Sequence, residues 1–240
     1  MVRYTPAALL ALAAGASAAD YSAWAFGNMF SVGPSSGDAY ITKATWSVVP
    51  PAVPTDATEG ASDHPFLSLW IGISKSISDQ SAALVQPLLN WSTNQESQGC
   101  PASATEWCVD ASTFSNDQQT AQPYVRVANG QKVDFEVTAT AQKTTHQKVY
   151  INGEVISEQN DGNVGFLPTY LYSSNECYQN TCGSVDGYTW EDITITLSTA
   201  DKSFGDTLEL RGASGSLDSS DGGKTWTGSI KIDADHFPRD

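Results

Sequence analysis

The strongest constraint on the fold is a period of two. In "FLSLWIGIS", residues 66 to 74, Leu67, Leu69, Ile71 and Ile73 alternate with Ser68, Trp70, Gly72 and Ser74. Successive strand side chains point to opposite faces, so this segment has one apolar face and one mixed face. The same kind of signal recurs in "AYITKATWSVV", "KVDFEVTAT", "DITITLS", "DTLELRG" and "WTGSIKI", separated by Gly, Pro, Asn and Asp clusters. Past residue 19 no stretch carries the period of an amphipathic helix. "HQKVYINGEVISEQ" reads as a hairpin, because a type I′ turn needs positive φ at both central residues and Asn152-Gly153 tolerates it. The expectation is an all-β chain: a two-sheet antiparallel β-sandwich of concanavalin-like or jelly-roll type, in which two half-apolar sheets bury their apolar faces on each other.

The 240 residues suffice for one large sandwich. Residues 1–19 have a basic start, an Ala/Leu run and a small-residue Ala16-Ser17-Ala18 site, the build of a secretory signal peptide. This leaves 20–240 as a single β-sandwich domain, expected to be secreted and monomeric. No later stretch has the length and apolarity of a membrane span. "PPAVPTDATEGASDHP", residues 50 to 65, reads as a surface loop within the domain. Twelve Lys and Arg against 27 Asp and Glu give a net charge of −15, a sign that argues against nucleic acid as a partner. The four cysteines allow three pairings; in an oxidising compartment the local ones, Cys100 with Cys108 and Cys177 with Cys182, are expected. His64, His146 and His236 lie far apart, no zinc spacing occurs, and neither metal nor cofactor is expected.

Alternation also sorts candidate functional residues. Trp70 falls on the mixed face of its strand. In "AALVQPLLNW", Val85, Leu89 and Trp91 read as core, placing Gln86, Leu88 and Asn90 opposite. In "ATEWCVDA", Trp107 and Val109 face inward, and Glu106, Cys108 and Asp110 outward. "YLYSSNECY", if extended, aligns Tyr170, Tyr172, Ser174, Glu176 and Tyr178 on one face. Aromatic rings interleaved with a few amides and carboxylates line binding clefts, because rings supply contact area and the polar groups set orientation. Pro87 cannot donate a ladder hydrogen bond, so the Gln86-Pro87 strand is expected at a sheet edge or at a bulge.

The ordered series "YSAWAFGNMF", "ATWSVVPP", Trp70-Ile71-Gly72-Ile73, the strand with Gln86, Glu106-Trp107, "VANGQKVDFEVTAT" and "DITITLS" resembles the eqolisins, the secreted glutamic peptidases with a concanavalin-like sandwich. The resemblance implies a catalytic glutamine and glutamate on the concave sheet, matched here by Gln86 and Glu176. The glutamate would take a proton from the attacking water and return it to the leaving amine. The glutamine amide would donate to the oxyanion. Trp70 and Glu106 match supporting cleft residues, and Tyr170, Tyr172 and Tyr178 would line the substrate site. Two departures stand out: Ser74-Lys75 where the family continues with Asp-Gly, and Cys108-Val109 where it has Tyr-Pro. Three readings stay open: an acid endopeptidase acting on polypeptide; a carbohydrate-binding or polysaccharide-degrading lyase or hydrolase; and a catalytically inactive relative.

Three minor signals complete the reading. Gly33-Pro34-Ser35-Ser36-Gly37 spells a nucleophile elbow but lacks the strand-to-helix setting and reads as a turn. "EQNDGN", with Asp161, and "LDSSDGG", with Asp218 and Asp221, read as tight turns rather than calcium loops. Asn90-Trp91-Ser92 is an N-glycosylation sequon on the same strand face as Gln86.

Overall fold

A computed structural model describes residues 23–60, 64–79 and 81–239. The expected signal peptide, 1–19, lies outside them.

The first sheet is built around β1 (Trp24–Val32), β13 (Tyr170–Tyr178) and β3 (Phe66–Ser74), which pair in that order, all antiparallel. β16 (Glu209–Arg211) closes the β1 edge. On its other side β3 pairs with β4 (Leu84–Val85) and β5 (Leu88–Ser92). Beyond them lie β6 (Trp107–Asp110) and β7 (Ser112–Ser115), then β8 (Gln118–Ala121) and β9 (Val125–Val127). The second sheet runs β12 (Glu154–Asn163), β11 (Thr144–Ile151), β10 (Val133–Ala139), β2 (Ile41–Val48), β15 (Tyr188–Leu197), β18 (Thr225–Ile232), β17 (Ala213–Asp218). A small ribbon pairs β14 (Gly183–Val185) with β19 (Asp235–Phe237).

The sandwich follows from the alternation. Leu67, Leu69, Ile71 and Ile73 of β3 and Leu171 and Cys177 of β13 meet Trp46, Val48, Phe135, Val137, Trp190 and Ile195 of the facing sheet in one buried cluster. The Asn152-Gly153 turn has φ of 54° and 79°, and β11 and β12 pair on either side of it. Residues 50–60 run as a loop tied to the fold by the Thr55–Ser184 bridge, by Thr58 N donating to the Thr181 carbonyl and by the Trp107 indole N–H donating to the Pro51 carbonyl. Both expected disulfides are formed, Cys100–Cys108 and Cys177–Cys182. No helix among the described residues is long and apolar enough to cross a membrane.

Two expectations are corrected. Gln86-Pro87 sits at neither an edge nor a bulge. Ile73 pairs with Val85 and Trp70 with Leu88, so the same number of residues separates the two pairs on each strand and none is inserted. β4 and β5 are one interior strand whose ladder is interrupted because Pro87 has no N–H to give. Its neighbour breaks at the same level, at Ala111, and the freed amides turn to the other sheet: Ala111 N donates to Ser157 Oγ and Ser112 N to Gln147 Oε1. The second correction concerns "EQNDGN", which is not a turn but the end of β12. Asp161 there accepts from Thr113, Thr145 and Gln147 on one carboxylate oxygen and from Gln159 on the other. It is the acceptor at the centre of a polar cluster between the sheets.

Candidate functional site

The face of the first sheet turned away from the core carries the candidate residues, and strand register arranges them in rows. Tyr172 pairs with Gly72, and a Cβ built on Gly72 would lie 3.0 Å from the Gln86 Cβ, so Tyr172, Gly72 and Gln86 form one row. Ser174, Trp70, Leu88 and Asp110 form the next. Phe26, Glu176, Ser68, Asn90 and Cys108 form the third. Tyr178 heads the last with Trp24 and Phe66, whose rings pack within 5.0 to 5.2 Å of each other's centroids. Gly72 matters because any side chain there would strike Leu84, Gln86 and the Val85 carbonyl.

Glu176 is half-buried and its carboxylate accepts from the Trp70 indole N–H at 2.8 Å. Trp70 in turn stands edge-on to Tyr172, ring centroids 5.4 Å apart. Burial pushes the Glu176 carboxyl up to about 7, against the pull of the Trp70 hydrogen bond. Tyr172 is raised for the same reason, with the Glu176 charge adding to it. Three further polar groups lie in the centre of the face. Gln86 is 5% exposed, Asn90 1% and Asp110 1%. Gln86 Oε1, Asn90 Nδ2 and both Asp110 carboxylate oxygens are buried without a hydrogen-bond partner among the described residues. Desolvation raises the Asp110 carboxyl well above its ordinary range, and that group in turn helps raise Tyr124. Asn90 Oδ1 accepts from Ser68 Oγ at 2.9 Å. A glycan on Asn90 has no room while the strand is folded.

The structure therefore brings Trp70, Tyr170, Tyr172, Glu176, Tyr178 and Gln86 to one face, but does not put Gln86 and Glu176 opposite each other. Ser68, the β3 partner of Glu176, is four residues from Gly72, the neighbour of Gln86. At roughly 3.3 Å per residue along a strand and about 4.8 Å between strands, their main chains are on the order of 16 Å apart. The β13 side chain in the row of Gln86 is Tyr172. Glu106 is held elsewhere: Arg126 Nε donates to it at 2.9 Å, Arg126 Nη2 forms a second bond and Ser103 Oγ a third. The guanidinium holds the Glu106 carboxyl down to about 2, so its charge is committed to a structural pair. Asp110 was not selected from the sequence as a site residue, although alternation had placed it on this face beside Cys108.

No family model matches the chain, and no curated protein matches its sequence. Among solved structures, scytalido-glutamic peptidase with a peptide-based transition-state analogue aligns over 85% of this chain and 96% of its own, with a TM-score of 0.50 and 14% identity. The fold is that of the glutamic peptidases. SCP-B, a member of the eqolisin family of peptidases in complex with the tripeptide Ala-Ile-His, aligns over the same shares at TM-score 0.47 and 14% identity. A prokaryotic β-1,3-1,4-glucanase covers 86% of this chain and 78% of its own at TM-score 0.35 and 8% identity. The resemblance of the ordered motifs to the eqolisins thus has a counterpart at the level of the fold.

Proposed function

We propose that this protein is an exported member of the glutamic-peptidase fold that binds polypeptide on the outer face of its first sheet without hydrolysing it by a glutamine–glutamate pair. The observation that carries this reading is the row Tyr172–Gly72–Gln86. A general base must lie within hydrogen-bond reach of the water it activates, directly or through one further water. The β13 residue level with Gln86 is a phenol whose proton is held more tightly than usual, and the nearest β13 carboxylate is bound to Trp70 one row beyond Ser174. Fold likeness to a peptidase carrying a peptide-based analogue supports polypeptide as the ligand class. So do the half-buried rings of Tyr170, Tyr172 and Tyr178 on the same face, which offer contact area to a bound chain.

The test is incubation with denatured protein at about pH 3, where carboxyl-based hydrolysis is favoured, alongside a peptide-binding measurement. The expected result is binding without cleavage above background. Cleavage abolished in both Gln86→Ala and Glu176→Gln would overturn the reading and restore the acid endopeptidase. Binding or cleavage of a polysaccharide, with none of peptide, would move the function to glycans.

A further inference from the structure

In a chain with an excess of acidic groups, most cations are spoken for. Lys43 pairs with Glu136, Lys75 with Asp79, Arg126 with Glu106 and Lys132 with Asp192. Arg211 differs. It lies at the end of β16, opposite Met29 of β1, and among the described residues its Nη2 alone is engaged, donating to the carbonyls of Phe26 and Gly27 at 3.5 and 3.1 Å. Among the described residues no carboxylate pairs with it. These two carbonyls sit where the β1 register shifts between Phe26 and Met29, so one arm of the guanidinium clamps an irregular strand while Nε and Nη1 stay available as donors.

Arg211 borders a cavity of about 760 Å³ whose lining includes Trp24, Phe26, Asn180, His236 and Arg239. The one acid there, Asp235, has a side chain only 1% exposed and is saturated: it accepts from Asn28 N, Asn175 Nδ2, His236 N and the Arg239 guanidinium. Its charge is offset by Arg239 and leaves that of Arg211 uncompensated. Trp24 and Phe26 add apolar surface to its lining, and Phe26 is 44% exposed. Phe26 pairs with Glu176 and Trp24 with Tyr178, so the cavity continues directly from the rows of the candidate site.

We infer that this cavity binds a carboxylate of an acidic peptide lying across the outer face, with Arg211 as the cation that receives it and Trp24 and Phe26 as the walls that hold the adjoining chain. With Nη2 held by the two carbonyls, Nε and Nη1 are left to donate a charge-assisted hydrogen bond to the carboxylate. The inference rests on the peptide-binding reading and names its ligand more narrowly.

Two synthetic peptides of one length, identical except that Glu in one is Gln in the other, test it. The Glu peptide should bind about tenfold tighter to the unaltered protein, as one charge-assisted contact implies. Arg211→Gln should erase the difference and leave the Gln peptide unaffected; Arg211→Lys, which keeps the charge and serves if the first variant folds poorly, should retain only part of it. Equal affinities for the two peptides, or a preference that survives Arg211→Gln in a folded protein, would overturn this inference while leaving peptide binding intact. Failure of either peptide to bind would overturn the broader reading, and capture of an oligogalacturonate instead would assign the cavity to acidic glycans.

Discussion

The Trp70 indole N–H donates to the Glu176 carboxylate at 2.8 Å, and this contact joins the two central strands of the aromatic face. It also sets how the face responds to pH. Glu176 titrates near 7 in the folded chain against about 4.5 when unfolded, so the folded state holds its proton more tightly. Stability from this group is therefore fully present below about pH 4.5 and falls as pH rises toward 7. The loss is no more than about 3 kcal/mol. Asp110, also raised by burial, acts with the same sign. Thermal melts between acid and neutral pH should show a declining Tm, and Glu176→Gln should flatten the decline; an unchanged slope in that variant would contradict the assignment. Trp70→Phe removes the donor and should push the Glu176 titration above 7, read by carboxyl NMR.

Gly72→Ala tests the packing beneath Gln86. The new Cβ would lie 2.5 Å from Leu84 Cδ1 and 3.0 Å from both the Gln86 Cβ and the Val85 carbonyl oxygen. A backbone carbonyl cannot step aside, so the substitution should destabilise by about 1–3 kcal/mol in urea unfolding and weaken peptide binding by displacing Gln86.

Asp161→Ala tests the cluster between the sheets. It strands the Thr113 and Thr145 hydroxyls and removes one acceptor each from Gln147 and Gln159 in a buried setting. The expected cost is about 3 kcal/mol, seen as a lower urea midpoint. Asp218→Ala, at the exposed end of β17, should change stability by less than about 0.5 kcal/mol.

The Cys177–Cys182 bridge closes a short loop directly after Glu176. Replacing both cysteines with serine should cost about 2 kcal/mol by chain-entropy reasoning. Because Cys177 is on the core face and Glu176 on the other, the same variant should broaden the Glu176 titration without moving its midpoint strongly.

Face was legible in the sequence and row was not. Alternation put Trp70, Gln86, Glu176 and the three tyrosines on the outer side because that choice is decided within each strand. Which of them stand level depends on register between strands distant in sequence, set by the whole core, and it is there that Tyr172 rather than Glu176 falls in line with Gln86. The Pro87 expectation failed for a related reason. A lost N–H was read as a lost ladder, whereas the neighbouring sheet supplies acceptors of its own, Ser157 and Gln147, at the level of the gap. Asp161 reads as turn chemistry because its neighbours are Asn and Gly, whereas pairing with β11 and packing against β7 surround it with donors.

The amides of Ala111 and Ser112 end on side chains of the opposite sheet rather than on a neighbouring strand. Their hydrogen exchange consequently does not report fraying of β6 or β7. It reports separation of the two layers, so two ordinary main-chain protons in the middle of this molecule serve as a gauge of how often the sandwich opens.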